Sequence, residues 1–201
     1  MDDKERHPVA TARADLYRFL SSVMADPPDG QAIESLVVSG FQPETLPDTP
    51  TQSAVETLTG WADQVTDPDA EADRLAREYT RLFVGPRPVL QAHESYYAGD
   101  FLGEPLARVS GTYAGLTLAP AADLREEADH VAVELAALGL LFERGEDDQV
   151  ATFLREHSWW LPELATDIQE QTNEPFYEAV AEMLEELVRA DRNRLLKGDE
   201  R

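Results

Sequence analysis

Three short stretches of this 201-residue chain carry residue types that could do chemistry. The first runs Glu126-Glu127-Ala128-Asp129-His130-Val131-Ala132-Val133-Glu134. On a helix, positions three and four apart share a face, so Glu127, His130 and Glu134 could converge on a metal ion. Bundle sites for iron, manganese or zinc repeat Glu-x-x-His on a second helix. Here the spacing occurs once, and His7, His93 and His157 lie outside any second copy. The other reading of these residues is an Asp129–His130 pair that holds a helix start against a neighbouring loop, where early carboxylates also suit the helix dipole. Sequence leaves both readings open.

The second stretch is His93-Glu94-Ser95-Tyr96-Tyr97. A serine between a glutamate and two tyrosines, with a histidine nearby, raises the question of nucleophilic catalysis. No Gly-x-Ser-x-Gly elbow and no strand is present to display the hydroxyl, which argues against it. The third stretch, Glu156 to Leu164, contains Trp159 and Trp160. Adjacent residues on a helix point about 100° apart, so one indole is expected in the core and the other along a groove or under a loop. No Gly-x-x-x-x-Gly-Lys-Ser/Thr loop exists to cradle a nucleotide. Cysteine is absent, which removes disulfides, thiolate catalysis and Cys-based metal sites.

The elements that position these residues read as helices. Leu16, Tyr17, Leu20, Val23 and Met24 form an apolar stripe that stops at Asp26-Pro27-Pro28. A short helix follows over 31–38, then a proline-broken loop over 41–51 and helical pattern again from 53 to 65. Asp67-Pro68-Asp69 caps a helix running to about Val84, with Leu75, Tyr79, Leu82 and Phe83 on one face. Further helices are predicted over 105–113, 124–144 (capped by Asp123 and ended by Gly145), 148–156, 158–171 and 174–196. The segment Val131 to Phe142 is apolar on nearly every face, which places it at the centre of the fold. No strand alternation, internal repeat or interdomain linker stands out. The expectation is one all-α, single-domain helical bundle over residues 1–201, frayed at 1–8 and 198–201.

Forty acidic against seventeen basic residues give a net charge of −23, and lysine occurs only at positions 4 and 197. Such a surface repels itself in dilute buffer, whereas at molar salt the Debye length is about 3 Å and the repulsion is screened. The composition fits a saline cytoplasm, or alternatively an acidic protein from an ordinary one. It offers no basic patch for nucleic acid. No apolar run reaches the roughly 18 residues of a membrane span, and Met1 to Pro8 has no apolar core of a signal peptide. The expected location is cytoplasmic.

Taken in order, Leu16-Tyr17, EYTRLFVGP at 78–86, ESYY at 94–97, DHVAVEL at 129–135, HSWW at 157–160 and Pro175-Phe176-Tyr177 resemble the TorD/DmsD/NarJ chaperones of molybdoenzymes. The resemblance covers roughly Thr11 to Leu196 and leans to the TorD/DmsD side. Ala92 and His93 stand where many relatives carry a proline and an aromatic, and Glu126-Glu127-Ala128-Asp129-His130 lacks the proline of the usual Glu-Pro-x-Asp-His. The resemblance implies no catalysis and no cofactor. It implies as partners a molybdopterin oxidoreductase catalytic subunit and its twin-arginine signal peptide, with a monomer and a dimer equally open. A peptide of that kind offers two guanidinium forks and an apolar segment. Glu94, Glu126, Glu127 and Asp129, with His130 and Ser95 beside them, would receive the forks. Tyr17, Phe83, Tyr96, Tyr97 and Trp160 would line an apolar groove. The alternative is a helical carboxylate/histidine metalloenzyme built on Glu127, His130 and Glu134.

Overall fold

The computed structural model describes residues 8–40, 49–119 and 126–196. Among them the regular elements are helical. Helix α1 (Pro8–Ala25) buries its whole stripe of Leu16, Tyr17, Leu20, Val23 and Met24, and Pro27 follows where a helix cannot continue. Pro8, expected to fray, opens α1; residues 1–7 and 197–201 lie outside the described residues. Helix α2 (Gly30–Ser39) starts on Asp29, whose carboxylate accepts the Ala32 N–H at 2.8 Å. Helix α3 (Thr49–Ala62) begins earlier than periodicity predicts. Pro50 sits in its first turn, where the missing N–H has no intrahelical partner to lose. The rest of the expected 41–51 loop lies outside the described residues.

Helix α4 (Pro68–Tyr79) is capped by Asp67 as the sequence predicts, and runs into one π-helical turn, Thr80–Val84. Two short elements follow, α5 (Glu94–Tyr97) and α6 (Glu104–Gly115). Helix α7 (Val131–Arg144) ends on Gly145 at φ 69°, a left-handed cap that glycine adopts without strain. Its start is a correction: the helix does not extend back to 124, and Asp123 itself lies outside the described residues. Helices α8 (Asp147–His157), α9 (Leu161–Gln171) and α10 (Pro175–Leu196) are the remaining elements. Ser158, Trp159 and Trp160 lie in the turn between α8 and α9, where periodicity predicts a helix over 158–171.

Two packings hold these elements in register. Helix α1 lies antiparallel to α7: Ser21 Oγ donates to the Ala132 carbonyl at 2.7 Å, and Gly139 faces Ala14 and Arg18. A Cβ on Gly139 would stand 3.2 Å from the Ala14 carbonyl oxygen, so glycine sets how closely the two helices approach. Helix α10 packs against α3, α8 and α9. Tyr17 joins the halves, since its hydroxyl donates to Asp191 on α10 at 3.0 Å while its ring stacks on Phe142 of α7. Arg13 pairs with the same carboxylate at 2.7 Å. Tyr17 is therefore a core brace, fully buried, and not part of an open groove.

Candidate functional site

The π turn explains how the loop after α4 reaches α7. Gly85 N–H returns to the Thr80 carbonyl at 2.8 Å, which leaves the Arg81 carbonyl for Val89 N–H at 3.3 Å, while the Leu82 carbonyl, whose helical donor would be Pro86, takes Leu90 N–H at 2.9 Å. The loop is then stitched to the entry of α7. Val131 N–H donates to the Ala92 carbonyl and Glu94 N–H to the Asp129 carbonyl, both at 2.9 Å, forming an antiparallel bridge between His93 and His130. Tyr113 Oη donates to the Ala128 carbonyl at 3.0 Å, and His130 Nδ1 accepts the Ala132 N–H at 3.3 Å as the cap of α7. With the Ala128 and Asp129 carbonyls engaged elsewhere, residues 126–130 stay out of the helix. Glu127 and His130 thus share no helical face, and among the described residues no group of three or more His, Asp or Glu side chains could hold a metal ion. The reading of the Asp129–His130 pair as a brace between helix start and loop matches this geometry.

Beneath the bridge lies a closed polar network. Glu94, at the first turn of α5, is fully buried. Its Oε2 accepts from His157 Nδ1 at 2.8 Å, and its Oε1 accepts from Trp159 Nε1 at 3.0 Å with the Arg108 guanidinium 3.6 Å away. The other His157 nitrogen meets Thr112 Oγ1 at 2.8 Å. Glu134, also fully buried, accepts from Trp160 Nε1 at 3.1 Å through one oxygen, while the other has no donor. Burial, and then the Glu94 carboxylate beside it, push the Glu134 pKa well above the ordinary carboxylate value. The groups that engage Glu94 are therefore His157, Trp159 and Arg108, while Glu134 is held neutral by its burial. Glu94 is thereby saturated from within, which takes it out of reach of an incoming guanidinium.

Asp129 differs. Its Oδ2 accepts the Ser95 N–H at 3.1 Å, but its Oδ1 is buried with no donor. Ser95 Oγ in turn accepts the Leu102 N–H at 3.0 Å, holding Leu102 at φ 57°. The His93 ring packs edge-on against His130 and Phe101, at 5.0 and 5.4 Å between centroids. Burial lowers the His93 pKa, opposed by Asp129, Glu126 and Glu127, which places all three acids within its electrostatic reach. Burial, and then His93, lower His130 to about 4. Glu126 and Glu127 are exposed, and Glu126 Oε2 lies 4.0 Å from His130 Nε2.

The predicted carboxylates, Ser95 and His130 are thus brought together, whereas the predicted aromatic groove is not. Tyr17 is in the core and Trp160 is buried on Glu134, with Tyr97 at 5.2 Å. Phe83 is half-buried against Tyr79, and Tyr97 is half-buried with its hydroxyl donating to Asp167 at 2.7 Å. Tyr96 alone of the five is open, at 51% exposure. The outward indole of the pair is Trp159, not Trp160. Sequence reasoning missed His157, Thr112 and Arg108 because their partners are distant in the chain: Glu94 lies 63 residues from His157 and 14 from Arg108, and Thr112 meets His157 from 45 residues away. A buried histidine just before two tryptophans was the signal available.

An apolar cleft of about 690 Å³ opens between α1, α6 and α7, with Glu126 on its rim. Among the described residues no helix is long and apolar enough to cross a membrane. A search of the curated proteins returned no match. The crystal structure of a candidate redox enzyme maturation protein from Archaeoglobus fulgidus superimposes with a TM-score of 0.54, at 21% identity, over 92% of this chain and 93% of that one. That likeness speaks for the fold. The family profile described as nitrate reductase delta subunit matches residues 47–189. The match runs from just before α3 into α10, and the chain accordingly belongs to the nitrate reductase delta subunit family, the NarJ/TorD-type chaperones of redox enzyme maturation.

Proposed function

We propose that this chain is a cytoplasmic, non-enzymatic chaperone. It binds the apo form of a molybdopterin oxidoreductase catalytic subunit, its twin-arginine signal peptide or both, and holds back export until the cofactor is loaded. The observation that carries this reading is the orphan oxygen of Asp129. A buried carboxylate oxygen without a donor is costly, and a guanidinium supplies donors in the fork geometry a carboxylate accepts. Exposed Glu126 and Glu127 lie beside it and give an approaching cation its first contacts. Surface pairs of this kind contribute only about 0–1 kcal/mol and are screened by salt, so the sheltered Asp129 carries the discrimination.

Asp129→Asn is the informative variant. An amide retains an oxygen for the Ser95 N–H but loses the charge, whereas alanine would also remove the brace under α5. With the fold retained by circular dichroism, affinity for a peptide bearing paired arginines falls by about tenfold or more. Unchanged affinity removes Asp129 from the site. Capture from the native host in molar salt recovers a molybdopterin oxidoreductase subunit. A deletion strain that matures every such enzyme normally refutes the reading.

A further inference from the structure

A second cleft, of about 880 Å³, opens between α3, α4 and α10 and shares no lining residue with the Asp129–His130 junction. Four carboxylates line it: Asp67 and Glu71 at the start of α4, and Glu178 and Glu182 one turn apart on α10. Among the described residues Arg74 is the one cation in this lining, and it is already engaged by both Glu71 and Glu174. Trp61 Nε1 donates to Glu71 at 3.1 Å and fixes that carboxylate on the wall. Glu178 and Glu182 have no side-chain partner among the described residues.

The charges of this cleft do not balance. With Glu174 behind Arg74 there are five carboxylates. Arg74 offsets one of them, and the N-terminal ends of α4 and α10, at roughly half a charge each, offset about one more, so about three stay without a counter-charge. Glu174 repeats the signal from below. It is buried, its Oε1 has no donor, and burial raises its pKa although Arg74 opposes the rise. Glu174 adjoins the cleft twice, through its ion pair with Arg74 and through Pro175, the next residue, which is in the lining.

The spread of these acids selects the shape of a counter-ion. Among the described residues no three of them converge closely enough to hold a metal ion. Glu178 and Glu182 stand about 6 Å apart along the axis of α10, and the α4 acids lie on another wall. A point charge meets one of these positions at a time, whereas ammonium groups joined by short methylene runs meet several at once. Val65, Ala70 and Ala179 add apolar lining against which such methylenes pack. We infer that this cleft binds a linear polyamine, with its ammonium groups on Glu178, Glu182 and Asp67. Such a ligand ties α3, α4 and α10 together and stabilises the native state.

The test titrates spermidine into the full-length chain by calorimetry at about 0.1 M salt, where the Debye length is about 10 Å and diffuse attraction is partly screened. The expected result is saturable binding of a single spermidine and a Tm that rises with its concentration. Butylamine, with a single ammonium group, binds at least about tenfold more weakly. The double variant Glu178→Gln with Glu182→Gln binds spermidine at least about tenfold more weakly. Its unliganded Tm equals or exceeds that of the wild type, since a like-charge pair one turn apart has been removed. Glu34→Gln with Glu163→Gln makes the same change of net charge at exposed positions outside the cleft, and binds within about twofold of the wild type. Equal weakening in the two double variants means diffuse attraction to an acidic surface and overturns the inference. Absence of saturable binding, undiminished affinity in the Glu178/Glu182 variant, or butylamine binding as tightly as spermidine overturns it as well.

Discussion

Helix α7 has two sides that contrast. On one side its Glu134 enters a closed network with Glu94, Trp160 and, through Glu94, His157, Trp159 and Arg108. On the other, alanines and a leucine face an open cleft. The residues with the richest chemistry are spent on holding the fold, and the blandest ones are left uncovered. A buried polar group must be satisfied before the chain can fold, and such groups gather where long-range contacts meet. An apolar face of alanines carries no such requirement.

This contrast can be broken experimentally. The largest effect is expected at Glu94→Ala, which leaves His157 and Arg108 without their carboxylate and Trp159 Nε1 without its acceptor. Removing one partner from a buried charged network costs about 3–5 kcal/mol, read as a lower denaturant midpoint. A loss near zero would mean the network is not closed. Next is the acid side of stability. His130 is held at about 4, below its ordinary 6.5, so the unfolded chain binds the proton more readily in between. Stability then falls as pH drops from about 6.5 to about 4, by about 3 kcal/mol in total. His130→Asn keeps a capping acceptor for the Ala132 N–H and removes the titration. The stability gap between variant and wild type therefore widens in the variant's favour across that window.

Smaller changes sharpen the comparison. Glu134→Gln preserves an acceptor for Trp160 and a donor towards Glu94, so at low pH it should change stability by less than about 1 kcal/mol. Glu134 is held protonated when folded, while the unfolded chain ionises it above about 4.5. Native Glu134 thus costs stability as pH rises, and the glutamine variant gains relative to wild type at neutral pH. If it instead loses at neutral pH, Glu134 is ionised in the fold. Smallest of all is Ala136→Glu, an exposed position where stability should shift by less than about 0.5 kcal/mol.

Much of the fold was legible in the sequence. The α1 stripe, the Asp67 cap and the Gly145 stop each rest on neighbours within a few residues, and each is where periodicity and capping place it. The start of α7 was not, because Glu94 N–H, Tyr113 Oη and the loop at Ala92 take over its entry from 15 to 39 residues away. The Asp129–His130 brace could be anticipated from helix-start chemistry. The pairing of Glu94 with His157 could not, since no local rule relates residues 63 apart. The two tryptophans were correctly split between core and surface, but a turn reversed which was which. The cleft was invisible for a different reason. Alanine is a good helix former in any setting, and its presence at 132, 136 and 137 does not announce which side of the helix stays uncovered.

The adjacent indoles have a consequence for anyone who wants to watch this protein at work. Trp61 and Trp160 are 7% and 0% exposed, whereas Trp159 is 39% exposed and tethered by its ring nitrogen to Glu94. Three emitters thus sort into two that a soluble quencher cannot touch and one that it can. The protein carries its own optical gauge, and collisional quenching by iodide or acrylamide reads the state of the Glu94 network without any label.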